Sequence, residues 1–218
     1  MNPNLLAVAI ASLMITGCSI PTAPHSDLSQ AEYFNQSPTR SSQARVPAGQ
    51  QVSLGVVYTQ GARINHQYLA DYNAQAGTGF GQSLLIQPIH DAYVATSQPG
   101  LANAAIMRSL QAQFGRVTVY ESPQALKAAR PDVIAMVDTR SQLITPRASD
   151  VQSDVTVQFY DRDMHYIATV QGHDQKSFRP VWAGARTTDE YVSEIRQQQD
   201  VQVSALQRFD VALRSVVK

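Results

Sequence analysis

The sequence predicts an α/β domain, a mixed sheet with helices packed on it in the order β-α-β-α-β-β-β-α, standing behind a flexible N-terminal tether. Three observations carry that reading. Short apolar, β-branched runs at 84–89, 116–121 and 132–138 alternate with segments of helical periodicity. The stretch 151–172 alternates apolar and polar residues around one polar turn, the mark of an antiparallel hairpin. Residues 187–216 carry apolar side chains at spacings of three and four.

Residues 19–50 are rich in Ser, Pro, Gln, Ala and Thr, and such a segment buries too little surface to offset the entropy of ordering it. As a coil of some 30 residues it would reach roughly 30 Å on average and about 100 Å at full stretch. Within it, 28–34 is compatible with a short helical turn. Residues 52–58 read as the first strand. For 61–81 the periodicity does not decide: Ile64, Tyr68 and Tyr72 fit a helix, while Ile64, Tyr68, Ala70, Tyr72 and Ala74 also fit a strand. The glycine-rich 77–81 lacks the Lys-Ser/Thr of a phosphate loop and reads as a mobile loop.

Residues 84–89 are expected to form a buried strand ending at Pro88, which has no N–H for a ladder. Ala102, Ile106, Leu110 and either Gln113 or Phe114 line one face of a helix that Gly115 is placed to end. A strand at 116–121 follows. Ser122-Pro123 is an N-cap with proline at the first helical position, opening a helix over 124–130 that Pro131 stops. The unalternating 132–138 suggests a strand covered on both faces. Strands 151–160 and 164–172 flank the turn Asp161-Arg162-Asp163, and 172–184, with the single tryptophan Trp182, is expected to cross the surface. Thr187 and Glu190 have capping-box spacing and open the last helix, with Val192, Ile195, Leu206, Phe209, Leu213 and Val216 inward. Gln199 and Gln202 fall in its apolar seam, marking either a break between two helices or a self-association face.

The N-terminus gives the address. Residues 5–15 form an apolar run of signal-peptide length, too short for the about 20 residues that a spanning helix needs. The run ends Leu13-Met14-Ile15-Thr16-Gly17-Cys18, and Cys18 is the only cysteine of the 218 residues. This resembles the lipobox of bacterial lipoproteins. The resemblance implies cleavage between Gly17 and Cys18, acylation of Cys18, and, with Ser19 rather than Asp following, residence at the periplasmic face of the outer membrane. One acyl chain holds only marginally, and the three chains of the lipoprotein modification would make attachment effectively permanent. The implied layout is a signal peptide at 1–17, a lipidated linker at 18–50 and a periplasmic domain at 51–218.

Residues 84–88, 102–114, 116–121, 124–130, 132–137 and 155–172, with the terminal helix behind them, follow an element pattern that resembles the family of the curli-secretion lipoprotein and the TolB amino-terminal domain. That family implies a non-catalytic α/β module that packs into rings or docks on larger envelope machines. A pore is not expected, because a transmembrane hairpin needs paired strands of about 9 to 11 alternating residues and 61–81 offers at most one.

Seventeen basic residues balance seventeen acidic ones, and no basic run occurs, which argues against nucleic acid as a partner. No chemistry-bearing constellation emerges. His165 and His173 would share a strand face about 26 Å apart, and Asp132 and Asp138 about 20 Å apart. Asp161 and Asp163 lack the ligand-rich continuation of a calcium loop. Neither a nucleophile elbow nor a His-Glu-x-x-His occurs, so the sequence predicts no enzyme and no metal or other cofactor. Two roles stay open. One is a structural or accessory subunit of an envelope assembly, with the membrane, protein partners or its own copies as contacts. The other is a glycan-binding module in which Tyr58, Tyr68, Tyr72 and Trp182 stack on sugar rings.

Overall fold

A computed structural model describes residues 21–24, 45–81, 85–146, 148–179 and 184–217. The expected turn at 28–34, the signal residues including Gly17 and Cys18, and Trp182 lie outside them. Chain order is β1 (Gly49–Tyr58), α1 (Gln60–Gly77), α2 (Gln87–Ala95), α3 (Leu101–Gln111), β2 (Phe114–Tyr120), α4 (Pro123–Ala129), β3 (Val133–Gln142), β4 (Asp150–Asp161), β5 (Tyr166–Ser177) and α5 (Thr188–Val216). The five strands form one mixed sheet in the order β2-β1-β3-β4-β5, in which β2 and β3 flank β1 in parallel and β3-β4-β5 is antiparallel.

Alternation assigns the two faces of the sheet. Leu54, Val56, Val133, Ala135, Val137, Val155, Val157, Phe159, Ala168 and Val170 point to one side, where Ile106 and Leu110 of α3 and Leu206, Phe209 and Leu213 of α5 close over them. The opposite side carries Val57, Ile134, Met136 and Tyr160 under Leu126 of the short helix α4. A third cluster, beyond the end of β3, joins Tyr68, Leu69, Tyr72 and Ala76 of α1 to Ala92 and Tyr93 of α2 and Val192, Ile195 and Val201 of α5. Packing already begins within the expected linker, since Val46 is fully buried and bridges Val217 at the end of α5.

The α/β class holds, and β1 is the first strand as expected; 84–89 adds no second strand among its described residues, so α1, α2 and α3 separate β1 from β2, and from β2 onward the order is the expected one. Residues 87–89, expected to end a strand that began at 84, instead open the helix α2. Pro88 sits in the first turn of α2, where its missing N–H costs nothing, and Ile89, Ala92 and Tyr93 supply the i, i+3, i+4 stripe. The undecided 61–77 is helix, begun by Thr59, whose side chain accepts from the Ala62 N–H at 2.9 Å. The expected mobile loop at 77–81 is a tight 3₁₀ turn with Phe80 buried edge-on between Tyr72 and Tyr93. Gly79 and Gly81 reach the positive φ that this reversal requires.

The final helix runs unbroken through Gln199 and Gln202. Gln198 and Gln202 are the buried pair, and Gln199 is half-buried. Gln198 accepts from Ile144 N at 3.2 Å and donates to the Thr96 hydroxyl, while Gln202 donates to Thr96 O at 3.0 Å. The polar patch is thus an internal joint that ties α5 to the end of α2, neither a helix break nor an open association face. The hairpin is also longer than expected: β5 continues from Gly172 to Ser177, and a turn held by the Asp161 carboxylate takes in His165.

Candidate functional site

The connection from β1 to β2 carries α3 on one face of the sheet, and the connection from β2 to β3 carries α4 on the other. Adjacent parallel strands whose connections leave in opposite directions open a crevice outside their carboxyl ends, where ligands of open α/β sheets bind. Here that crevice has a volume of ≈ 420 Å³ and is lined by Tyr58, Ala62, Arg63, His66, Asn103, Val119, Tyr120 and Glu121.

Local folding places each group. Tyr58 ends β1 and Tyr120 ends β2, with Val57 and Tyr120 in register, so two phenols stand on the two strand ends. Burial pushes the Tyr58 phenol above its usual pKa, which keeps it a neutral donor. Thr59 caps α1 and donates its hydroxyl to the Asp138 carboxylate, pinning the helix start to β3. Arg63 and His66, one turn apart on α1, then edge the crevice, and Arg63 Nη1 reaches Tyr58 O at 3.3 Å. Glu121 faces them from the end of β2, next to Ser122, the cap of α4. The arrangement offers flat aromatic surface with one cation and one carboxylate at its rim, groups that suit orienting a bound molecule.

A second, polar site lies on the sheet face that α4 leaves open. Arg140, Asp154 and His173 are register partners across β3, β4 and β5. With Asp138, Gln152, Thr156 and Gln171 they line a cavity of ≈ 360 Å³. His173 Nδ1 stands 2.5 Å from Asp154 Oδ1, and Gln152 donates to Asp154 Oδ2 at 2.7 Å. Arg140 Nε is buried with no hydrogen-bond partner among the described residues.

Of the described residues singled out in the sequence, Tyr58 alone lines the crevice. Tyr68 and Tyr72 are 5% and 0% exposed, and their rings are core. The Tyr68 hydroxyl accepts from Leu143 N at 3.1 Å and the Tyr72 hydroxyl donates to Ile144 O, so both phenols fasten α1 to the end of β3. Burial raises the Tyr68 pKa to about 12 and that of Tyr72 well above its ordinary value. Neither presents a ring face to a sugar, which corrects the stacking surface expected from Tyr58, Tyr68 and Tyr72 together. His165 is bound to Asp161 in the hairpin turn, apart from His173. Asp132 holds Ser53 and Arg162, while Asp138 holds Thr59. Among the described residues no group of three or more His, Cys, Asp or Glu converges on a metal position.

Sequence reading missed Arg63, His66, Tyr120, Glu121 and Arg140. The signal available for the first four was positional: Tyr120 and Glu121 fall at the end of one strand that proves to be parallel, and Arg63 and His66 in the first two turns of the helix that follows the other.

No protein-family model matches this chain, and no curated sequence matches it. Among solved structures, a PelC dodecamer from Paraburkholderia phytofirmans is similar at 12% identity, with 75% of this chain and 94% of that chain covered and a TM-score of 0.33. That superposition is too loose to transfer a property from one protein to the other.

Proposed function

We propose that this protein is an envelope lipoprotein held at the periplasmic face of the outer membrane through Cys18, and that it serves an envelope assembly for secretion, flagella or polysaccharide export by binding rather than by turnover. The observation that supports this is the lone cysteine directly after Thr16-Gly17 at the end of an apolar run of signal-peptide length. No helix among the described residues is long and apolar enough to cross a membrane. Mass spectrometry of the N-terminal peptide tests the reading. The expected species begins at an acylated Cys18; an intact Met1 with an unmodified sulfur overturns it.

The polar cavity supports a second reading, a glycan-binding module. Arg140, Asp154 and Gln171 line the cavity and bring donors and acceptors of the kind that sugar hydroxyls pair with. Titration with N-acetylglucosamine oligomers tests it. Binding that Arg140→Ala abolishes supports this reading, and no heat or shift change with the wild-type protein removes it.

A further inference from the structure

The expected linker begins at Cys18, yet Ala23 already packs against the cluster formed by α1, α2 and the first half of α5. A chain spans at most about 3.6 Å per residue, so five residues place Cys18 within roughly 18 Å of that contact. The folded body is therefore held short at this pole. The same cluster takes in the partly buried Leu85, Ile89 and Phe178 at its margin. Beside them Ile86, at the start of α2, is 47% exposed, and Pro88 follows it in the open. Among the described residues only a few large apolar side chains are this exposed, and isolated ones need no explanation. Ile86 is different because it adjoins a margin of partly covered apolar residues on the cluster that also receives Ala23, five residues from Cys18.

We propose that this pole, formed by Leu85, Ile86, Pro88 and Ile89 at the start of α2, rests on the phospholipid surface that holds the acyl chains of Cys18. The inference rests on the lipid-anchor reading and adds an orientation to it. Apolar side chains at such a contact sink about 5–10 Å into the headgroup region. The opposite end of the molecule stays in water, because β4 runs from Val151, in the same cluster, to Asp161 at the hairpin turn, about 33 Å at strand rise. The membrane is the occupant that chain length favours, because five residues keep an acylated Cys18 within roughly 18 Å of the contact that Ala23 makes with this cluster.

Fluorescence quenching tests the orientation on the full chain, purified with its lipid and reconstituted in vesicles of phosphatidylethanolamine and phosphatidylglycerol. Because Cys18 is the single cysteine and its sulfur is consumed by the anchor, single variants Ile86→Cys and Asp163→Cys take a fluorophore at one place each. Asp163 is exposed in the hairpin turn, and its ion pair with Arg130 is exposed too, so its loss changes little. Nitroxide-bearing lipids are expected to quench the label at residue 86 several-fold more than the label at residue 163. Equal, weak quenching at both positions in protein that floats with the vesicles overturns the orientation and leaves the anchor standing. Failure to float, with wild-type Cys18 itself taking the label, overturns both.

Discussion

Gly172 tests how closely the hairpin must approach the last helix. It lies on β5, opposite Val155, facing α5. A Cβ there would fall 2.1 Å from Ala205 O, 2.6 Å from Phe209 N and 2.7 Å from Phe209 Cβ. Two of the three are helix backbone atoms, so relief requires α5 to move away from β4 and β5, opening the contact around Leu206 and Phe209. Overpacking of a fixed core costs about 1–3 kcal/mol, and a clash with backbone belongs at the upper end, about 3 kcal/mol for Gly172→Ala. For a domain of this size that is a fall in Tm of about 6–12 °C. Urea and thermal unfolding of the Cys18→Ser protein, followed by circular dichroism, measure it. Gly100→Ala is the control, since among the described residues nothing stands within 4 Å of a Cβ there and its φ of −86° is ordinary; a change within about 0.5 kcal/mol is expected. A Gly172→Ala protein as stable as the control would refute the claimed closeness of strand and helix.

Gln198→Ala should cost about 2–3 kcal/mol, because it leaves the buried Ile144 N–H without its acceptor and Thr96 without its donor; urea midpoints of the variant and of Gln199→Ala, expected near neutral, make the comparison. Tyr68→Phe should destabilise by about 1–3 kcal/mol through the orphaned Leu143 N–H while leaving any titration with N-acetylglucosamine oligomers unchanged, as a core tyrosine requires. The Asp132 carboxylate is held below its usual pKa by hydrogen bonds from the Ser53 side chain and backbone, and then by Arg162. A depressed folded-state value means stability that is present above the unfolded pKa near 3.9 and lost as pH falls through the folded value, so Asp132→Asn should flatten the stability profile below about pH 4. Cys18→Ala should move the protein from the membrane to the soluble fraction with an unchanged circular-dichroism spectrum, and persistence in salt-washed membranes would point to another anchor.

Legibility in the sequence followed how local each signal was. Thr187 with Glu190 announced the start of α5, and both halves of the capping box are formed. Ser122-Pro123 likewise opened α4 where expected, and Asp161 to Asp163 placed the hairpin turn. Failures came where two short-range signals pointed to different elements. Leu84-Leu85-Ile86 looked like strand, but Pro88 served a helix start and Tyr93 needed to reach Tyr72, a contact visible only after folding. Glycines 77, 79 and 81 looked like slack, whereas Gly79 and Gly81 supply the backbone reversal that buries Phe80. The crevice was the least legible part. Tyr58, Arg63 and Glu121 meet only because β1 and β2 are parallel neighbours, and strand pairing is a long-range fact that no local period encodes.

Helix α1 links the crevice to the apolar pole, and this constrains how the two could work together. Arg63 and His66 in its first turns edge the crevice, while Tyr68, Tyr72 and Ala76 further along it belong to the cluster that receives Ala23. From Arg63 to Ala76 the helix advances about 20 Å. It is also stiffly held, by Asn65 bonded to Thr139 and Ser141, by the Tyr68 and Tyr72 hydroxyls on the chain after β3, and by Asn73 on Val94 and Ser97. A rod fixed at both ends transmits position rather than flexing. With the α2 pole on the lipid surface, the crevice therefore opens at a set height of a few nanometres at most above the headgroups, within reach of a partner that is itself at the membrane. A ligand or subunit confined to that layer meets the crevice at a high local concentration, so weak contacts by Tyr58, Tyr120, Arg63 and Glu121 would suffice for association that the isolated domain in dilute solution would barely display.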